Sequence, residues 1–162
     1  ANASQVTDGA SAVMVTSEAF AEANSLPVKA IILGYGEASL KPEVMGLGPV
    51  DASKEALSRA GLKMSDIDVV ELNEAFAAQS IAVLKEFEKQ GHKIDPAKVN
   101  LDGGAIAMGH PLGASGARIV GHLAEVLQRE NKRYGLATMC IGGGQGVAMV
   151  IENPAAAPKP AV

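Results

Sequence analysis

The chain has 162 residues, a formal net charge of −4 and 48% hydrophobic residues, a length and balance suited to one domain with a real core. The acidic balance, with no basic run, argues against a nucleic-acid surface, and no apolar stretch approaches the length of a membrane span. A single cysteine excludes an internal disulfide, nothing has zinc-ligand spacing, and aromatic content of 3% leaves the core to Val, Ile, Leu, Met and Ala.

In chain order, residues 10–16 read as a small apolar strand, and Ser17 caps a short helix ending near Asn24. Pro27 separates that unit from a β-branched strand over residues 28–35. Asp51 is placed to cap a helix running to Ala60, with Gly61 as its C-terminal stop. A strand follows over residues 67–72. Residues 74–89 carry a helical apolar face in Phe76, Val83, Leu84 and Phe87. A short strand at 99–101 runs into a glycine-rich loop, and Ile119, Leu123, Val126 and Leu127 form the next helical face. Strands at 134–141 and 146–152 flank a turn at Gly142–Gly144.

From residue 28 this order is β-α-β-α-β-α-β-β, an α/β layered domain with a mixed five-stranded sheet whose last strand runs antiparallel to its neighbour. Residues 1–26 read as the end of a preceding domain, 27–152 as one domain and 153–162 as a disordered Pro/Ala tail. Reducing, cytoplasm-like conditions are the default for such cysteine usage. The chain starts without an initiator methionine, so a targeting segment is expected to be lost with the true N-terminus.

Two stretches carry chemistry. Residues 103–118 read Gly-Gly-Ala-Ile-Ala-Met-Gly-His-Pro-Leu-Gly-Ala-Ser-Gly-Ala-Arg, and the only cysteine opens Cys140-Ile-Gly-Gly-Gly-Gln-Gly. Glycine and alanine let backbone approach a ligand and free N–H groups to face it. Pro111 keeps His110 out of helical geometry. A thiol, an imidazole and bare amides are the parts of acyl transfer. A lone cysteine is most often a small buried hydrophobe, but packing alone does not call for three glycines beside it. His110 could simply bond its own loop, yet the small residues on both sides favour a catalytic role. His92 and His122 are read as a loop residue and a helix-face residue. Asn73, at a strand end, is an ordinary N-cap or a group that positions a water or donates to an oxyanion; Glu74 is read as a first-turn acidic residue. Asn73, His110 and Cys140 each follow a predicted strand, and ligands of open α/β sheets bind at that edge.

Together Asn73-Glu-Ala-Phe-Ala-Ala-Gln79, the Gly103–Arg118 run and Cys140-Ile-Gly-Gly-Gly-Gln-Gly146 resemble the thiolase family, in its motif order and near its spacing over residues 2–152. The resemblance implies a thiolase-like fold and Claisen chemistry: thiolysis of 3-ketoacyl-CoA to acetyl-CoA and a shortened acyl-CoA, or the reverse condensation. It makes Cys140 the proton shuttle, and His110 the activator of the acyl-carrying cysteine and an oxyanion contact. Asn73 would hold a water completing that hole, and the Gly142 N–H would serve a second one. Ser4 falls where a serine contacts the pantetheine arm, and Met45 where a methionine lines the acyl pocket. Coenzyme A is then a substrate, with no tightly bound cofactor and no metal.

The resemblance also implies an absence. Thiolases carry the acyl-accepting cysteine in their first half, so this chain reads as a C-terminal half, inactive alone and homo-oligomeric when complete. Gln5-Val6-Thr7-Asp8-Gly9 looks like the degradative enzymes, whereas Cys140-Ile-Gly-Gly-Gly looks like the biosynthetic ones. Related ketoacyl synthases use two histidines, so Asn73 argues against that branch. Two other readings stand beside the enzyme: a non-catalytic half or scaffold pairing with a separate N-terminal chain, and a general CoA-binding module. No basic cluster marks a nucleotide-phosphate site, which disfavours the module.

Overall fold

The computed structural model describes residues 2–156. Its strands are β1 (Ile31–Ser39), β2 (Val69–Leu72), β3 (Tyr134–Ile141) and β4 (Gln145–Glu152). Its helices are α1 (Glu18–Ala23), α2 (Gly48–Ala60), α3 (Ala77–Lys89), α4 (Ala105–Met108) and α5 (Leu112–Arg129). The sheet is mixed and has four strands in the order β1-β4-β3-β2, with β2 parallel to β3 and β4 antiparallel to both β3 and β1.

Neighbouring residues of a strand point to opposite faces, and the core divides accordingly. Val70, Leu136 and Val150 pack with Val50, Ala56 and Leu57 of α2 and Val83 and Phe87 of α3. Val69, Ala137 and Ile151 pack with Ile119, Leu123, Val126 and Leu127 of α5 on the other face. The apolar face expected for α5 is the one buried, and that expected for α3 is buried at Val83 and Phe87 and partly at Leu84, whereas Phe76 is its exposed N-cap. Gly36 of β1 permits close approach on the first face, since a β-carbon there would collide with the Ala52 carbonyl of α2.

The sheet has four strands rather than the expected five because residues 99–101 do not form one. Val99 makes a single parallel bridge to Val70, and then Asn100 turns away at φ 49°. Its side-chain amide takes over the ladder: Asn100 Oδ1 accepts from the Leu72 N–H at 2.9 Å, and Nδ2 donates to the Leu72 carbonyl at 2.9 Å. The apolar run at 10–16 is likewise no strand. It forms no regular element and is exposed, with Met14 at 81% of its full accessibility.

Several boundaries also move. The first strand of the domain starts at Ile31, past the expected 28. Helix α2 begins at Gly48, so Asp51 lies in its first turn paired to Lys54 rather than capping it; Gly61 does close it, at φ 66°. Ser17 caps α1 by accepting from the Phe20 N–H. Order runs into the start of the expected tail, because buried Asn153 donates to the carbonyls of Leu127 and Lys132. Residues 157–162 of that tail lie outside the described residues.

Candidate active site

Asn73 stands one residue past β2, where its N–H donates to the Thr138 carbonyl at 3.0 Å and continues the parallel ladder. It does not cap α3, whose N-cap is Phe76. Its side chain is 2% exposed; Nδ2 lies 3.3 Å from His110 Nε2, and Oδ1 meets no donor among the described residues. A buried amide oxygen without a donor is costly unless a water or ligand completes it.

His110 occupies the turn between α4 and α5. Gly109 enters that turn at φ 92°, and a β-carbon on it would collide with Thr7. Arg118, nearly two turns into α5, donates to the Gly109 carbonyl at 2.9 Å. The His110 N–H donates to the Gln5 carbonyl, and its Nδ1 lies 2.6 Å from Ser115 Oγ. Burial, with the Arg118 charge second, holds the imidazole below its ordinary pKa. Both causes disfavour the cation, so His110 is a neutral base near neutral pH.

Cys140 is the penultimate residue of β3, two positions beyond the Thr138 that accepts from Asn73. The thiol is buried, and burial pushes its pKa up. It therefore keeps its proton at neutral pH and is fitted to give one rather than to attack as a standing thiolate. The three glycines after it are not equivalent. Gly143 and Gly144 have φ of 79° and 94°, and a β-carbon on Gly144 would strike the Leu40 carbonyl. Turn geometry accounts for those two. Gly142 is exposed and has room for a β-carbon.

Ser4 is tied to the Asn73 loop, since its N–H and its hydroxyl both donate to the Ala75 carbonyl, at 3.0 and 3.1 Å. Met45 lies in the 3-10 turn Pro42–Leu47 ahead of α2. Its neighbour Gly46 packs on Gln79 of α3. The geometry thus joins Asn73, His110 and Ser4, sets Cys140 and Gly142 at the same sheet edge, and leaves Met45 in a separate turn. A cavity of about 110 Å³ adjoins this set, lined by Asn73, Glu71, Met108, Arg118 and His122 among others.

Sequence reasoning missed five residues that hold the site. Glu74 is not in a helical first turn: its Oε2 accepts from the Ile106 N–H of α4 at 3.1 Å, and its Oε1 accepts from Asn100 Nδ2 at 3.2 Å. Gly104 is needed because a β-carbon there would meet the Glu74 carboxylate. Asn100, Arg118 and Ser115 complete the set; the only signal for Ser115 was its place in the small-residue run after His110. His122, read as a helix-face residue, bridges Glu71 at 3.1 Å and Asp102 at 2.9 Å.

Residues 26–153 match the model of the thiolase C-terminal domain. The chain belongs to the thiolase family. A 3-ketoacyl-CoA thiolase of Pseudoalteromonas translucida is 53% identical over 150 residues, 93% of this chain and 38% of that protein. An acetyl-CoA acetyltransferase of Escherichia coli is 52% identical over 152 residues, 94% of this chain and 37% of that protein. The human mitochondrial 3-ketoacyl-CoA thiolase solved in complex with CoA superposes with a TM-score of 0.80 at 44% identity, over 85% of this chain and 34% of that one. The fold is therefore thiolase-like, and the chain spans less than two fifths of the length of these thiolases.

Proposed function

We propose that this chain supplies the proton-transfer half of a thiolase acting on 3-ketoacyl-CoA, and that a first half carrying an acyl-accepting cysteine completes the enzyme. The contact between Asn73 Nδ2 and His110 Nε2 at 3.3 Å, at the sheet edge that Cys140 shares, is the observation that carries this reading. Residues 1–26 are then the end of the preceding domain, in keeping with a family match that starts at residue 26.

In the thiolysis direction, His110 Nε2 takes the proton of the first-half thiol, and the thiolate attacks the 3-keto carbon. The resulting imidazolium and a water on Asn73 donate to the oxygen where negative charge builds. The bond between the second and third carbons breaks, leaving the electron pair on acetyl-CoA as an enolate. Cys140, protonated because its thiol is buried, protonates that carbon. Coenzyme A then gives its own proton back to Cys140 and attacks the acyl-enzyme thioester, releasing the shortened acyl-CoA and the first-half thiolate, which recovers its proton from the His110 imidazolium. The Gly142 N–H faces the charge of this second addition. Ser4 contacts the pantetheine arm and Met45 the acyl chain. Coenzyme A enters and leaves as substrate.

The test is turnover of acetoacetyl-CoA by this chain, with and without a first half from a close relative. Activity only in the paired sample supports the proposal. Turnover by the chain alone would reassign Cys140 as the acyl carrier, and a paired sample that stays inactive while forming a stable complex would favour the scaffold reading.

A further inference from the structure

We propose that Ser115 is a positioning residue: it holds His110 in the Nδ1–H tautomer and so turns the Nε2 lone pair toward Asn73 and the site. The argument is a count of protons along one chain of contacts. A serine hydroxyl has a single proton to give. The Ser115 hydroxyl gives it to the Pro111 carbonyl, four residues back and 3.1 Å away, the usual back-bond of serine in a first helical turn. Toward His110 the same oxygen is therefore an acceptor. With the hydroxyl proton on Pro111, whose carbonyl also accepts from the Ala114 and Ser115 N–H groups, His110 Nδ1, 2.6 Å from that oxygen, carries the hydrogen between them.

A neutral imidazole has one N–H, so Nε2 keeps its lone pair. The group facing it, Asn73 Nδ2 at 3.3 Å, is a donor and completes the chain without conflict. With Nδ2 of Asn73 toward the ring, the opposite tautomer would set two N–H groups against each other at Nε2 and withdraw the serine proton from Pro111. Ser115 is fully buried on α5, so water does not compete for its oxygen. The partner is also an uncharged one. A carboxylate in that place would favour the imidazolium and raise the pKa of the ring; a hydroxyl orients the ring and leaves it neutral.

The importance of the Nε2 lone pair rests on the function proposed above, but the tautomer does not, and the test keeps them apart. Uniformly ¹⁵N-labelled polypeptide, expressed with its native flanking sequence, is measured by long-range ¹H–¹⁵N correlation at a pH where His110 is neutral. His110→Gln assigns its signals. The wild type should show a protonated-type Nδ1 and a lone-pair-type Nε2. Ser115→Ala should shift the tautomer ratio toward Nε2–H by about three- to tenfold, the weight of one neutral hydrogen bond. Ser115→Thr, which retains the hydroxyl, should restore it. A wild-type ring protonated at Nε2 would overturn the proposal even if no variant folds, and so would an unchanged ratio in a folded Ser115→Ala. In the completed enzyme the same variant should lower kcat by a similar factor with KM unchanged. A shifted tautomer with kcat untouched would support the positioning of His110 while sinking its role as the base.

Discussion

Nδ1 of His122 on α5 lies 3.1 Å from Oε1 of Glu71 in β2, a carboxylate buried between the sheet and that helix. Strand alternation puts Glu71 on the same face as Val69, where it is 3% exposed. Burial is the larger influence and raises the Glu71 pKa above the ordinary carboxylate value, with the imidazole offsetting part of it. The folded chain then holds this proton to higher pH than the unfolded chain does. Stability attributable to Glu71 should therefore fall as pH rises from the unfolded value to the raised folded one, and level off above it. Glu71→Gln should remove that slope. Urea midpoints of both proteins between roughly pH 4 and 8 check this; a difference between them that does not change with pH would contradict it.

Gly36→Ala should destabilise the domain severely. The new β-carbon would meet the backbone carbonyl of Ala52 and the Ala56 nitrogen, neither of which can rotate away as a side chain could. Overpacking against fixed atoms costs about 1–3 kcal/mol or more, and α2 would have to lift from β1. Denaturant unfolding measures it. A loss below about 0.5 kcal/mol would mean that α2 and β1 are not held this closely.

In the completed enzyme, Cys140→Ala should reduce kcat by about 10²–10⁴-fold with little change in KM, because the proton transfer is realised in the transition state. His110→Ala should slow acylation of the first-half cysteine as well. The double variant should lose less than the product of the two single losses, since both groups serve one proton-transfer sequence. Steady-state and acylation-burst kinetics on the three proteins decide it. A Cys140→Ala enzyme within a few-fold of wild type would reduce that cysteine to a packing residue.

Coenzyme A should bind this chain only weakly by itself. Of the expected contacts it offers the Ser4 region and the Asn73–His110 edge, and its acidic balance of −4 supplies no phosphate clamp. Calorimetric titration with a sub-micromolar Kd would contradict this and revive the binding-module reading.

The sequence by itself determined the parts of this protein that depend on local pattern. The helical apolar faces of α3 and α5, the left-handed stop at Gly61 and the β3–β4 hairpin all follow from residues close together in the chain. Asn73, His110 and Cys140 stood out because small residues or strand ends flank each of them. Tertiary structure alone decided how they are held. Glu74 reads as a helix-start acid until α4 is seen to offer it the Ile106 N–H. Asn100 reads as strand until its amide replaces the ladder beside Leu72. His122 is a surface residue of α5 in sequence, and becomes the partner of a buried carboxylate only when α5 lies across β2. Periodicity records which face of an element avoids water; it holds no record of which distant donor meets which acceptor, because that pairing exists only after the elements have packed.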